Sequence, residues 1–227
     1  MSVVRRKVKP MIKSKIFILS LTCLLLFSGP VSGQEEVKKE YWGNGKLKSE
    51  THYINRKMDG ASISWYESGE KKFEGHYKDG KKNGVFAKWY ESSAKKSKGA
   101  FKNDLPDGEF WGWYESGEKS YVSKLINGKP EGTLTSWYKN GQKTVERHFK
   151  NGLSDGVFTE WFENGNKKIE KYFKAEKIDG IFTAWYENGV KMAEGYFKNG
   201  KEDGVFTAWN IDGKLKNKIL YKDGKPQ

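Results

Sequence analysis

The side chains in this chain that could do chemistry recur at a fixed interval, and that interval limits what they can do together. Eight tryptophans, Trp42, Trp65, Trp89, Trp113, Trp137, Trp161, Trp185 and Trp209, are separated by 23 residues once and by 24 thereafter. Indole faces flanked by lysine can stack sugar rings or hold cations, so the column from Trp65 to Trp209 is the candidate ligand-binding face. The alternative role for the same column is structural, with each indole packed on the glycine of its own unit and on the next indole. Glu67, Glu91, Glu115, Glu163 and Glu187 keep the same beat. Acid/base catalysis by paired carboxylates needs a separation of a few ångströms in a pocket, whereas equivalent positions in stacked hairpins lie about 10 Å apart. These acids are expected to pair with Lys71, Lys95, Lys119, Lys167 and Lys191 instead. The same spacing keeps His52, His76 and His148 from sharing a zinc ion, whose histidine ligands sit at about 2 Å. The Asn-Gly-x-x-Asp-Gly segments faintly echo calcium loops but converge too few oxygens, and turn formation explains their composition. No G-x-S-x-G, H-E-x-x-H or Walker loop is present. The chain reads as non-enzymatic, with no cofactor and no metal.

The elements that carry these columns follow from two more of them. Tyr53, Tyr77, Phe101, Leu125, Phe149, Phe173, Phe197 and Tyr221 form one, and Gly60, Gly84, Gly108, Gly132, Gly156, Gly180 and Gly204 the other. Self-similarity at such a period marks a repeat architecture, in which each unit buries its apolar face against its neighbours. Within the unit Gly156–Lys174, two β-rich runs flank Asn164-Gly165, which predicts a two-residue type I′ hairpin. Gly69, Gly117, Gly141, Gly165 and Gly189 are the corresponding turn glycines. A second turn, through Asn151-Gly152, leads to the next unit. No window has an apolar period of 3.6, so no helix is expected in the repeat region.

A two-residue loop sets the register, with Gly156 opposite Phe173, Glu160 opposite Ile169, Trp161 opposite Lys168 and Phe162 opposite Lys167. One face then gathers Phe158, Phe162, Ile169 and Phe173. The other carries Trp161, Val157 and Tyr172 among charges. The predicted fold is all-β, an elongated single-layer ribbon of about eight 24-residue hairpin units, roughly 70 to 80 Å long at two strand spacings per unit. A propeller is excluded by unit length, because its blades need four strands and about 40 residues.

Residues 1–33 have the order of a secretory signal. Arg5, Arg6, Lys7, Lys9, Lys13 and Lys15 precede the apolar run Ile16–Phe27, and Val31-Ser32-Gly33 supplies small residues for cleavage. Residues 34–39 read as a short linker and 40–226 as the repeat domain. The only cysteine, Cys23, lies in the apolar run, so a chain cleaved after Gly33 has no disulfide and no thiolate chemistry. Cleavage also lowers the formal charge from +13 to +7. The remaining lysines are mixed with acids, a surface mildly favouring anionic partners and not the concentrated basic footprint of nucleic-acid binding.

Asp179 to Lys191, reading Asp-Gly-Ile-Phe-Thr-Ala-Trp-Tyr-Glu-Asn-Gly-Val-Lys, and the following Tyr196-Phe197-Lys198-Asn199-Gly200 resemble the bacterial variant of the MORN repeat. The arrangement is similar to that of YwqK-type antitoxins. The resemblance implies a protein-binding scaffold or a toxin neutraliser, and for MORN repeats more widely an association with phospholipid. The expected partner is an unidentified protein, with anionic lipid or glycan as alternatives. Ser93, Asp104 and Glu176 depart from the pattern at turn positions, which makes the unit around Glu91-Ser92-Ser93-Ala94 the expected irregular one. Leu125 replaces the second-column aromatic, and Asn210, following the last Trp, is expected in a terminal cap.

Export gives the first test. Sequencing the protein recovered outside the cytosol should find Gln34 at its N-terminus, open or cyclised. An intact Met1 on a cytosolic product would overturn the assignment.

Overall fold

The computed structural model describes residues 33–227, so the expected leader lies outside the described residues except for Gly33. The described chain is a single antiparallel open sheet of 20 strand segments and contains no helix. Neighbours in sequence are neighbours in space. Glu35–Tyr41 pairs with Leu47–Ile54, which pairs with Lys57–Trp65, and the pattern runs on to Gly204–Trp209 against Leu215–Lys222. Among the described residues no pairing joins the first strand to the last, so the sheet does not close into a propeller. The expected linker 34–39 is corrected, since Glu35–Tyr41 is the first strand and pairs with Leu47–Ile54 along its length.

The two turns of each unit exchange the roles expected of them. At the Asn164-Gly165 tip, Phe162 N–H donates to Asn166 O at 2.9 Å and Gly165 N–H to Phe162 O at 2.9 Å. Gly165 has φ +88° while Asn164 is not in the left-handed region. The loop is therefore a type I turn followed by a left-handed glycine, three residues long, and not the two-residue type I′ turn. Asn is favoured here because its Oδ1 accepts the Asn166 N–H at 2.9 Å. The type I′ turn sits between units, where Asn151 and Gly152 have φ of 54° and 84°.

The extra loop residue displaces the register beside the tip. Trp161 pairs with Lys167, not Lys168, and a bulge beside it absorbs the difference; Phe162 leaves the strand. Beyond the bulge, Glu160 opposite Ile169 and Gly156 opposite Phe173 stand as expected. The tip with Ser93 is also corrected, because it is regular. Tyr90 and Ala94 close it at 2.9 Å, and Ser93 itself takes φ 65° with its hydroxyl 2.5 Å from Glu70 Oε2.

The Phe158 and Phe173 face carries the apolar ladder, and the contacts are edge-to-face rings. Phe86 meets Tyr77 at 5.3 Å and Phe101 at 5.0 Å, Phe101 meets Phe110 at 5.4 Å, and Phe197 meets Phe206 at 5.3 Å. Several of these rings lie down on a glycine of the preceding strand. A Cβ on Gly99 would stand 2.2 Å from Phe110, and one on Gly75 would stand 2.4 Å from Phe86. Where that glycine is Lys171, its ammonium lies 5.0 Å from Phe158 and 5.2 Å from Phe173. The first strand breaks the ladder, placing Lys38 where later units have Phe158 or Phe182. A charge in the first described strand disfavours edge-to-edge association.

Phe86, only 8 % exposed, should be the ladder's most costly truncation: Phe86→Ala is expected to lose about 3 to 5 kcal/mol in denaturant titration. Phe158→Ala, half-buried and flanked by one edge-to-face partner, should lose less. Gly165→Val should lose about 1 to 2 kcal/mol through its positive φ. Equal melting of all three and the parent would refute this packing.

Candidate functional site

All seven indoles of the expected binding face, Trp65, Trp89, Trp113, Trp137, Trp161, Trp185 and Trp209, end the first strand of their hairpins and are half-buried. Lysines of the preceding hairpin reach over four of them: Lys71 over Trp89 at 5.3 Å, Lys95 over Trp113 at 5.6 Å, Lys143 over Trp161 at 5.5 Å and Lys167 over Trp185 at 5.8 Å. The column does not pack on the repeat glycines. A Cβ on Gly60 or Gly156 would meet His52 or His148, and one on Gly180 would meet Tyr172, all on the neighbouring strand.

Trp42 belongs to a different column. Its N–H and C=O close the first tip with Lys46 and Gly45, the place that Tyr66 occupies in the next unit, while Tyr41 pairs with Leu47 as Trp65 pairs with Lys71. That shift by one residue is the reason for the single 23-residue step. The column it joins is the aromatic following each Trp, and its polar atoms tie unit to unit. Tyr66, Tyr90, Tyr114, Tyr138 and Tyr186 each donate a hydroxyl to the carbonyl of the next unit's Trp, at 2.7 to 3.0 Å. Trp42 does the same with its indole N–H, at 3.3 Å to Trp65 O. Phe162 has no hydroxyl, so the ladder skips the carbonyl of Trp185. Asn210 closes the last described tip with Lys214.

The same face carries a second apolar column that sequence reasoning placed there but did not single out. Val157 pairs with Tyr172, Ile181 with Tyr196 and Val205 with Leu220. These six side chains are 40 to 65 % exposed, more open than any indole of the Trp column. Buried Thr159 and Thr183 separate them from the tryptophans on the same strands. In the N-terminal units the column is diluted by Ala61, His76, Ala100 and Glu109.

The family described as MORN repeat variant matches residues 37–55, 58–79, 130–151, 154–175 and 178–199. The unmatched stretch between residues 79 and 130 repeats the same tips and pairings in the structure. This is a MORN-variant repeat protein. None of the curated proteins compared with the chain matches it.

The MORN units also decide the charge pattern. The tip acids Glu67, Glu163 and Glu187 were expected to pair with Lys71, Lys167 and Lys191, and the structure corrects this. Each lysine bonds the acid three residues further along its own strand, Lys71 with Glu74 at 2.9 Å, Lys143 with Glu146 at 2.5 Å, and likewise Lys167 with Glu170 and Lys191 with Glu194. What the tip acids offer is backbone: Asn44, Asn140 and Asn164 donate to the carbonyls of Glu67, Glu163 and Glu187 in the next unit. The Lys39 ammonium holds the Glu50 carboxyl below its ordinary range, and Lys78 together with the Asp79 amide does the same for Asp59. The histidines stand apart from one another, with His148 bonded to Thr133 at 3.0 Å. Among the described residues no group of three or more His, Cys, Asp or Glu could hold a metal.

The gap in the hydroxyl ladder can be filled. Phe162→Tyr should place a donor on Trp185 O and raise stability by up to about 1 kcal/mol, while Tyr138→Phe should remove a comparable amount. Calorimetry that shows no change for either would mean that the ladder is not stabilising.

Proposed function

We propose that this MORN-variant protein is a non-enzymatic, exported scaffold that binds a protein partner along the Val157–Leu220 apolar column. The observation that carries the reading is contiguity. Three successive hairpins each present a pair of large apolar side chains on one face, cross-strand from one another and open to solvent. Scattered exposed apolar residues need no explanation, but an aligned patch marks an interaction surface. At two strand spacings per unit the column runs about 25 Å, a length suited to an extended segment or a facing sheet. A shallow hollow of about 330 Å³ between Tyr172, Ile181 and Tyr196 gives the patch relief for an anchor side chain. The half-buried tryptophans, with lysines over their faces, support this surface from the side. A toxin would be one kind of partner for such a face.

The test is a triple variant, Ile181→Ser, Tyr196→Ser and Val205→Ser, against the parent in cross-linking and affinity capture. The variant should lose the partner while its melting stays within a few degrees of the parent, since the replaced groups are exposed. Trp161→Ala should instead lower the melting temperature. A partner kept by the triple variant and lost on a Trp161→Ala protein that still melts normally would move the interface to the indoles and sink this reading.

A further inference from the structure

The units between residues 84 and 125 break the repeat pattern in a coordinated way. In four hairpins the first lysine of the second strand is neutralised by a glutamate three residues on, at Glu74, Glu146, Glu170 and Glu194. At the two equivalent places in this stretch stand Lys98 and Val122. Lys95 and Lys119 are left without a carboxylate, and Lys98 adds a third ammonium; none of the three forms an ion pair among the described residues. In the same stretch Trp111 occupies the position that is Thr135, Thr159 and Thr183 in later units. Lys98 is its direct cross-strand partner, where Thr159 faces Glu146 and Thr183 faces Glu170.

These changes meet in a surface hollow of about 490 Å³ on the tryptophan face, lined by Lys95, Lys98, Lys119, Glu109, Trp111 and Trp113. Trp111 and Trp113 are nearly parallel, with ring planes 18° apart and centroids 6.3 Å apart. Lys119 lies over the Trp111 ring at 4.9 Å and Lys95 over the Trp113 ring at 5.6 Å, so both ammoniums are held against the indole pair. Glu109 accepts the Trp111 indole N–H at 3.3 Å. Ala100, small where other units have His76, His148 or Tyr172, also lines the hollow and leaves it open.

We infer that this hollow binds an acidic sugar ring, a pyranose bearing a carboxylate, within a polyanionic glycan. The indole pair supplies an apolar, electron-rich platform for the C–H face of a ring. The three ammoniums supply positive charge for a carboxylate. Glu109 is an acceptor for a ring hydroxyl. Nucleic acid would need a run of free cations along successive phosphates, and an anionic bilayer a broad basic face. In the row of lysines that open the second strands, Lys71 and Lys143 on either side are paired with their glutamates, so the unpaired members Lys95 and Lys119 both fall at this hollow.

The site is remote in sequence from the Val157–Leu220 column, so its failure and that of the protein-scaffold reading are separable. The test uses the mature chain, with trigalacturonate as probe and maltotriose as its neutral counterpart, in isothermal titration and indole fluorescence. Two variants, Trp111→Thr and Lys98→Glu, install residue types that other units carry at the same places, so melting should be retained. Trigalacturonate is expected to bind at least tenfold more tightly than maltotriose, more weakly as salt rises, and at least tenfold more weakly to either variant. Equal affinity for the two sugars, or undiminished trigalacturonate binding by both variants, overturns the inference. So does tighter Lys98-dependent binding of oligothymidylate or of phosphatidylglycerol vesicles than of trigalacturonate.

Discussion

In a sheet one layer thick, every unit must be stabilised sideways, by the unit on either side of it. Among the described residues only Phe86 and Ala184 are buried hydrophobic side chains. These residues form one sheet with no second layer for the apolar face to pack on, so the usual route to a globular core is closed among them. What remains is lateral. The backbone ladder is continuous from Glu35–Tyr41 to Leu215–Lys222, rings meet edge-to-face across strand pairs, and five tips are tied to the next by a tyrosine hydroxyl and several by an asparagine amide. The 24-residue period follows from this constraint. A unit of different length would move its Tyr hydroxyl off the next Trp carbonyl and its Phe ring off the neighbouring glycine.

That dependence explains which strain is tolerated. Arg56, Ser93, Asp104 and Glu176 all take positive φ in turns where other units have glycine, and αL costs a non-glycine residue about 1 to 2 kcal/mol. Three of them return a neighbour-to-neighbour bond. Ser93 bonds Glu70, Asp104 accepts the Lys82 amide at 2.7 Å, and Glu176 accepts the Ser154 amide at 2.5 Å. Ser154 is fully buried, and Arg147 donates to its hydroxyl while reaching Glu176 at 3.5 Å. The hydrogen bond donated by the Ser154 backbone N–H is the main reason that the Glu176 carboxyl is held below its ordinary range. Local strain is offset by a contact one unit away.

Much of this was legible in the residues, and the exceptions share a cause. Period, strand count per unit and the two faces follow from spacing, and the pairing of Gly156 with Phe173 through Glu160 with Ile169 follows from alternation. The tip did not. A two-residue type I′ turn and a three-residue loop closed by a left-handed glycine both ask for Asn followed by Gly, and they differ by one residue in register. Trp42 was misplaced for a related reason, since residue type suggested the Trp column while its position relative to Gly45 put it in the Tyr column. The Tyr hydroxyl ladder was hidden because its acceptor is a backbone carbonyl, which no side-chain pattern reveals. The candidate surfaces were partly hidden for the opposite reason, because a search for recurring columns passes over the unit in which a column changes.

Those changes are where this chain can differ from a generic repeat. An array whose units are held by identical neighbour contacts is free to vary at positions those contacts do not use. The ladder needs the Phe or glycine of the inner face and the Tyr and Trp backbone at the tip. It does not need the residue at Val157, or the acid at Glu170, or the threonine at Thr159, all of which point to the opposite face. The departures cluster there. Across the last three units the Val157 position and its partner become uniformly large and apolar, and across residues 84–125 the acid and threonine become Lys98 and Trp111 while tip and strand pairings persist. Two regions of one face have therefore acquired different chemistry on an unchanged frame. A monotonous backbone ladder makes that division possible, because a substitution that no neighbour contact depends on alters the surface and leaves the stack intact.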